Sequence, residues 1–185
     1  MILNEEQTMI SDMAKNFAMN ELRPNAARWD KEGNLDRSKL EALGELGFGG
    51  IYTTEEHGGS GLTRLDAALI FEQLSRGDIS HAAFLSIHNM ATWMIDTFAH
   101  DQLRAKYVPR LTATELIASY CLTEPGAGSD AASLKTTAKL EGDDVDIFVV
   151  ETDANGVKRN PYRLVDGRGA ADLELKDVVV PLSAR

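Results

Sequence analysis

The chain has little of what several protein classes require. Its single cysteine, Cys121, excludes an internal disulfide and with it a disulfide-stapled secreted fold. We therefore expect a reducing compartment, which is the cytoplasm or, in a eukaryote, the mitochondrial matrix. The 19 Lys and Arg residues are outnumbered by 29 Asp and Glu residues, for a formal net charge of −10. We predict no nucleic-acid partner, because phosphate binding needs a basic face.

Long apolar runs are missing as well. The first residues, MILNEEQTMI, are acidic and lack the charged and apolar regions of a signal peptide. The most apolar stretch, Ala82 to Ala99, is interrupted by His88, Asn89 and Asp96. It is too short and too polar to span a bilayer. With 43% hydrophobic and 26% charged residues, the composition predicts a soluble globular protein without a membrane segment.

The first part of the sequence has helical periodicity. Asn4 and Gln7 are spaced as a capping box, and apolar residues then recur at intervals of three and four. We expect this helix to bend near Pro24, because proline lacks the N–H that continues the ladder, and to stop by Gly33.

Four further helices are expected, each with its own boundary signals. Their bounds are Asp36 to Gly47, Thr63 to Gly77, Ser80 to Phe98, and a short helix from Leu103 that closes around Pro109. The third of them is apolar on nearly every side. A helix without a polar face belongs in the middle of a bundle.

After residue 116 the period of the apolar residues changes to two, which is typical of strands. The expected strands are Ile117 to Thr123, Leu134 to Leu140, Val145 to Val150, and a last one that follows Leu173 and contains Val178 to Val180. Helices followed by strands predict an α+β fold. We expect a helical domain over residues 1–115 and an antiparallel β-domain over residues 116–185.

The segment Tyr120 to Asp130 is the most informative stretch for function. A predicted strand ends there in a loop that contains Gly126 and Gly128, with the hydroxyls of Thr123 and Ser129 on either side. Because glycine removes the Cβ barrier, backbone N–H groups in such a loop can closely approach an anion or the edge of a flavin ring.

Other nucleotide-binding and catalytic patterns fit this loop poorly. Gly126, Gly128 and Ala131 match G-x-G-x-x-A, but that fingerprint needs a helix directly after it, and residues 133–140 alternate like a strand. No Gly-Lys-Ser/Thr follows for a P-loop, and Ser129 lacks the second glycine of a nucleophile elbow. On pattern alone, an ordinary glycine-rich β-loop stays open beside a ligand-binding one.

Taken whole, Tyr120 to Asp130 resembles the flavin-binding signature of the acyl-CoA dehydrogenase family. Residues 55–61, Glu-Glu-His-Gly-Gly-Ser-Gly, are similar to that family's Glu-Glu-Tyr-Gly-Gly-Ser-Gly turn. Residues 86–90 and 93–96 resemble the isobutyryl-CoA dehydrogenase branch. Residues 167–181 are similar to the close of the family's middle β-domain.

The resemblance implies FAD bound between the middle β-domain and a C-terminal helical bundle. Leu122 and Thr123 would then contact the isoalloxazine edge, and Ser129 would also touch the thioester side of the acyl-CoA substrate. Glu124 and Asp130 would shape the loop rather than do acid–base work. The residues that the resemblance assigns to FAD are Tyr120, Cys121, Leu122, Thr123, Gly126, Gly128 and Ser129.

The reaction implied by the resemblance is the α,β-dehydrogenation of a short branched acyl-CoA to a 2,3-enoyl-CoA. It also implies an electron-transfer flavoprotein as partner, and a homo- or hetero-oligomer. No metal site is predicted, because His81 and His88 have no ligating partner at metal spacing.

The chain departs from the family pattern in two places. After Asp143 it passes directly to Val145–Phe148, which resembles a strand much further along, so central strands of the β-domain are missing. At Arg185, the family's C-terminal helical domain, which carries the catalytic base, would begin.

From these departures we expect a truncated dehydrogenase that is incompetent alone. The alternative is a non-catalytic subunit or interaction module that pairs with a complete acyl-CoA dehydrogenase. A third reading is the non-functional product of a shortened gene.

Overall fold

The computed structural model describes residues 2–138, 147–165, 169–181 and 184. Within these residues, six α-helices precede a two-stranded antiparallel sheet, which confirms the α+β class and the order of its halves. The elements are α1 (Glu5–Phe17), α2 (Arg23–Glu32), α3 (Arg37–Glu45), α4 (Arg64–Gly77), α5 (Ile79–Phe98), α6 (Asp101–Thr112), β1 (Val157–Arg163) and β2 (Gly169–Leu175).

The first predicted helix is α1 and α2 joined without a loop. The capping box is present, with the Gln7 N–H donating to Asn4 Oδ1 at 2.7 Å. A single π-helical turn, Ala18–Leu22, separates the two helices just before Pro24. Gly33 ends α2 at φ +62°, a left-handed conformation that glycine adopts without steric cost.

The start of α5 and the end of α6 differ from the prediction. α5 is capped by Asp78, whose carboxylate accepts the His81 N–H at 2.8 Å, so Ser80 lies inside the first turn. α6 continues through Pro109 to Thr112, because buried side chains on both sides of the proline hold its last turn. The caps at Asp36 and Thr63 are confirmed.

The sequence suggested that α5 is apolar on nearly every side. In the structure, the helix instead buries a stripe of polar side chains. Its exposed face carries Phe84, Ile87 and Phe98, and Phe98 is 66% exposed. The buried polar residues of this helix are His81, His88, Asn89, Thr92 and Asp96. They face inward because irregular chain packs against this face and its backbone groups need partners.

The core lies between these helices and the irregular segment that follows α3. Trp29, Phe48, Ile51, Ile70 and Leu85 are each at most 2% exposed. Burial of side chains of this size contributes about 1.5–3 kcal/mol each relative to exposure. The packed helices therefore form a stable support for the chain that leaves α6.

The sheet is smaller than the sequence predicted. β1 and β2 pair antiparallel, from Val157 opposite Leu175 to Arg163 opposite Gly169. The Asn155-Gly156 turn signal is confirmed, with Gly156 at φ +88°. The Arg163 guanidinium lies directly against Gly33 and so seats the hairpin beside the end of α2.

The four predicted strands are wrong wherever the structure describes them, and neither β1 nor β2 was among them. Ile117–Thr123, residues 134–138, residues 147–150 and Val178–Val180 are all irregular. Residues 139, 140, 145 and 146 of the predicted strands lie outside the described residues. Alternating residues favour an extended chain, but a strand exists only where a neighbour takes its backbone hydrogen bonds.

None of the helices in the described ranges is both long enough and apolar enough to cross a membrane. Across those same ranges, no group of three or more His, Cys, Asp or Glu side chains is arranged to hold a metal ion.

Candidate functional site

The chain that leaves α6 is tied to the helical bundle before it reaches the predicted flavin segment. Thr114 adopts φ +56°, and its Oγ1 donates to the Leu40 carbonyl at 3.1 Å. The Arg37 guanidinium donates to the carbonyls of Thr114 and Glu115, the latter at 3.0 Å. Residues 114–115 are therefore fixed against α3.

His88 holds the next part of this connection. The side chain is fully buried, and its Nε2 lies 2.9 Å from the Leu111 carbonyl. Its Nδ1 accepts the Ala118 N–H at 3.1 Å. A carbonyl can only accept and an amide can only donate, so the ring is the neutral tautomer with its proton on Nε2. Burial lowers the pKa of His88 below its ordinary value and keeps it neutral.

A turn and a carboxylate shape the middle of the segment. The backbones of Glu124 and Ala127 exchange two hydrogen bonds of 3.0 Å. The Glu124 carboxylate accepts the N–H groups of Lys135 and Thr136 at 2.8 and 2.9 Å. The Thr136 hydroxyl is the largest cause that lowers the pKa of Glu124, followed by these two N–H groups. Glu124 thus links the turn to residues 135–136.

Asp130 closes the segment in a similar way. Its carbonyl accepts the Ser133 N–H at 3.1 Å, and its carboxylate accepts the Ser133 hydroxyl. Both carboxylates of the segment therefore accept local hydrogen bonds, Glu124 from backbone N–H groups and Asp130 from the Ser133 hydroxyl. This is the loop-shaping role that the sequence suggested for Glu124 and Asp130.

The structure places the seven predicted cofactor residues on one continuous exposed stretch. All of them are exposed, whereas Ala127 between the two glycines is buried and anchors the turn. Within the described part of the chain, none of the N–H groups of residues 120–123 donates to a backbone carbonyl. These donors are available to an external acceptor.

Gly126 and Gly128 are open toward solvent. Neither has a positive φ, so the backbone conformation does not require glycine at either position. A Cβ built on either one would meet no described protein atom within 4 Å. Their missing side chains therefore leave the surface of the loop free for close approach from outside.

Cys121 is not poised for chemistry. Partial desolvation raises the pKa of its thiol above the ordinary value, which favours the protonated form over the nucleophilic thiolate. Cys121 is a free and exposed cysteine.

Sequence reasoning missed how α5 holds the glycine-rich segment of residues 48–62. Asn89 accepts the Ile51 N–H at 2.7 Å and donates to the Phe48 carbonyl at 2.8 Å. Asp96 accepts the Thr54 N–H at 2.9 Å. The signal was available, because polar residues at positions 81, 88, 89, 92 and 96 repeat at helical spacing on one face.

Two other surface features lie apart from the predicted site. The guanidinium of Arg64 lies 3.6 Å from the ring centroid of Tyr52 and 4.6 Å from that of Trp93. A wide groove of about 880 Å³ runs along α1 and is lined by Met9, Met13 and other α1 residues. None of the predicted cofactor residues lines this groove.

This chain is similar to known proteins over most of its length. A family model described as "Acyl-CoA dehydrogenase, N-terminal domain" matches residues 4–115. Mitochondrial isobutyryl-CoA dehydrogenase of Dictyostelium discoideum is 50% identical over 141 residues, which are 76% of this chain and 34% of that protein. The chain thus spans about a third of the length of this curated relative.

Solved structures share the fold over nearly the whole chain. An acyl-CoA dehydrogenase complexed with FAD from Bacillus anthracis has a TM-score of 0.85 at 28% identity, over 98% of this chain and 37% of that one. A structure described as an electron transferring flavoprotein of Acidaminococcus fermentans has a TM-score of 0.89 at 29% identity, over 99% of this chain and 58% of that one. The family-model match over residues 4–115 covers more than half of the sequence, and the chain belongs to the acyl-CoA dehydrogenase family.

Proposed function

We propose that this chain contributes the FAD-binding and substrate-facing front part of an acyl-CoA dehydrogenase. Its helical domain would span residues 1–115 and its β-domain residues 116–185. The observation that carries the proposal is the stretch Tyr120–Ser129, which is exposed but fixed at both ends. Donor N–H groups and two open glycines on this stretch suit a planar ring with acceptor atoms on its edge.

Each predicted cofactor residue has a role in this proposal. The backbone of Tyr120 to Leu122 and the hydroxyl of Thr123 hold the isoalloxazine edge. Gly126 and Gly128 let the loop approach the cofactor closely, and Ser129 contacts both FAD and the thioester side of acyl-CoA. When bound, FAD supplies the acceptor for the hydride that leaves the β-carbon of the acyl group.

A short branched acyl-CoA is the proposed substrate class. The 50% identity to an isobutyryl-CoA dehydrogenase supports it. Phe84 and Ile87 lie one turn apart on the exposed face of α5 and are 38% and 39% exposed. Ile87 is the neighbour of His88, which binds the start of the flavin segment. An apolar face at this place suits the acyl chain.

The base that removes the α-proton is not assigned to a residue of this chain. A general base needs a free acceptor within hydrogen-bond reach of the proton it takes. Glu124 and Asp130, the carboxylates of the flavin segment, are instead bound to backbone N–H and hydroxyl groups. We propose that the base comes from the part of the family's length that these 185 residues do not span.

By the same resemblance, an electron-transfer flavoprotein would reoxidise the cofactor. The likeness to the structure from Acidaminococcus fermentans supports this choice of partner. The mitochondrial relative supports a matrix location in a eukaryote, and the cytoplasm is expected otherwise.

A flavin titration of the purified chain tests the cofactor assignment. Absorbance and fluorescence should show saturable FAD binding, weakened about tenfold or less by Thr123→Val or Ser129→Ala, as for one lost hydrogen bond each. Ser75→Ala removes an exposed serine on α4 and should leave affinity unchanged. Tight FAD binding that neither Thr123→Val nor Ser129→Ala alters would overturn the assignment.

A turnover assay tests the missing base. The chain alone should convert isobutyryl-CoA no faster than background, even with FAD and an electron acceptor, because general-base catalysis contributes about 10²–10⁴ in rate. Robust enoyl-CoA formation by the chain alone, lost on Glu124→Gln, would show that the base lies in this segment.

The exposed face of α5 favours one further candidate function, a non-catalytic subunit that pairs with a complete dehydrogenase chain. Phe84, Ile87 and Phe98 give this face an apolar surface that a partner would cover. Co-purification with a longer homologue, without bound flavin, would favour this second function.

A further inference from the structure

We propose that His88 is the positioning residue for the flavin segment, because it determines where the chain leaves the helical bundle. The inference rests on the proposed function for the flavin contacts, whereas the position of the segment depends on contacts within the chain alone. His88 itself lies on α5, 32 residues before Tyr120 in sequence, and is not proposed to touch FAD.

The His88 ring forms a hydrogen bond at each of its two nitrogens. Its Nε2–H donates to the Leu111 carbonyl in the last turn of α6, and its Nδ1 accepts the Ala118 N–H. The two bonds bring together three pieces of chain: the middle of α5, the end of α6, and the irregular connection beyond it. Ala118 is only two residues from Tyr120, so a shift at Ala118 moves the first residues that would contact the flavin.

No other described side chain accepts a hydrogen bond from the Ala118 N–H. The bonds from Arg37 fix the connection further back, at Thr114 and Glu115, and they come from α3 rather than α5. Glu124 fixes it further on, through residues 135–136. Among the described residues, His88 therefore supplies the side-chain hydrogen bond closest to the start of the flavin segment.

Two substitutions of His88 by an amide side chain each keep one of its two hydrogen bonds and remove the other. An asparagine at position 88 places its amide oxygen two bonds from Cβ, as Nδ1 is, so His88→Asn can keep the Ala118 bond and lose the Leu111 bond. A glutamine places its amide nitrogen three bonds from Cβ, as Nε2 is, so His88→Gln can keep the Leu111 bond and lose the Ala118 bond. Each variant loses one hydrogen bond, which contributes about 0.5–1.5 kcal/mol, so their losses of stability should be similar. In His88→Asn the Leu111 carbonyl still accepts the Thr114 N–H at 2.8 Å.

The experiment measures FAD affinity and amide exchange for the chain and for both variants. We expect His88→Gln to raise the Kd for FAD about tenfold, and His88→Asn to stay within about threefold of the unmodified chain. Urea unfolding should show comparable stability for the two variants. Equal affinity in the two variants at equal stability would overturn the proposal, since a merely structural histidine would not distinguish them.

Amide exchange provides a readout that does not depend on the flavin. The Ala118 amide and its neighbours should be protected in the unmodified chain and in His88→Asn, but exchange faster in His88→Gln. If the unmodified chain binds no FAD, the proposed function fails, and the exchange result still decides whether His88 positions this segment. Similar exchange at Ala118 in both variants would refute the positioning role.

If neither variant folds, amide exchange of the unmodified chain is measured across pH. Protonation of His88 removes the acceptor at Nδ1, so the Ala118 amide should exchange before the helices open.

Discussion

At the scale of single residues, the carboxylates of the flavin segment and the buried imidazole of α5 hold the chain after α6 in place. The Glu124 carboxylate and the His88 ring bind main-chain groups of the chain after α6, whereas the Asp130 carboxylate binds the Ser133 hydroxyl. A group whose acceptor atoms are already occupied is a poor proton carrier, but it holds a loop well. Among the residues proposed to contact FAD, the N–H groups of residues 120–123 donate to no backbone carbonyl within the described ranges.

Glu124 should make the order of the flavin segment depend on pH. Its pKa is lowered in the folded chain, so its contribution is complete above the ordinary value of 4.5 and is lost as the pH falls through the lower folded value. We expect the Lys135 and Thr136 amide resonances to move toward random-coil positions on acidification. In Glu124→Gln these two resonances should no longer follow a carboxylate titration.

The control for this titration is Glu72→Gln, which alters an exposed carboxylate on α4 that pairs with Arg76. Its substitution should leave the pH dependence at Lys135 and Thr136 unchanged. Resonances at Lys135 and Thr136 that titrate alike with and without Glu124 would contradict the assigned role.

At the scale of elements, α5 is the helix that holds both irregular segments of the helical part in place. Its inward face binds the irregular segment after α3 through Asn89 and Asp96, and the chain after α6 through His88. Its outward face is apolar, with Phe84 and Ile87 exposed. The inward face also carries apolar core residues such as Leu85, and the outward face is partly exposed, so α5 is both a scaffold and a surface for binding.

The polar stripe of α5 should be more important for stability than its apolar face. Asn89→Leu leaves the buried Ile51 N–H and Phe48 carbonyl without their partner, and each unsatisfied group costs about 1–3 kcal/mol. We expect a fall of roughly 2–5 kcal/mol in the free energy of unfolding, measured in urea.

The matched control is Asn16→Leu, which makes the same change on an exposed position of α1 and should alter stability by no more than about 0.5 kcal/mol. A loss for Asn89→Leu as small as for the control would show that water or relaxation replaces the two bonds.

At the scale of the whole molecule, a helical bundle supports an exposed segment and a small hairpin. The apolar face of α5 is partly exposed in the described chain, where Phe84 is 38%, Ile87 39% and Phe98 66% exposed. Single exposed apolar residues are ordinary, but three on one helix face favour association. Both the proposed dehydrogenase and the proposed interaction module use this exposed apolar face of α5.

We therefore expect the purified chain to self-associate with increasing concentration. In light scattering, Phe84→Ser combined with Ile87→Ser should weaken this association about tenfold or more, because the apolar area buried at the contact is lost. Ile2→Ser removes an isolated apolar side chain that is 99% exposed and should have no effect. A compact monomer at all concentrations before any substitution would exclude α5 as an association surface.

The amino-acid sequence alone was enough to predict the helices and the family. Capping boxes at Asn4 and Thr63 and the stop at Gly33 are local signals, since the groups that bond lie within one turn of each other. The motif from Tyr120 to Asp130 is likewise contiguous and could be read directly. Each of these features depends on neighbours in sequence, which a sequence displays.

Only the tertiary structure decided which extended segments became strands and which polar residues act at a distance. Ile117–Thr123 alternates like a strand, but its Ala118 N–H donates to His88, 30 residues away, and not to a sheet. Residues 135–136 likewise bond to the side chain of Glu124. Backbone groups must find acceptors, and whether these belong to a strand or to a side chain depends on packing between distant parts of the chain.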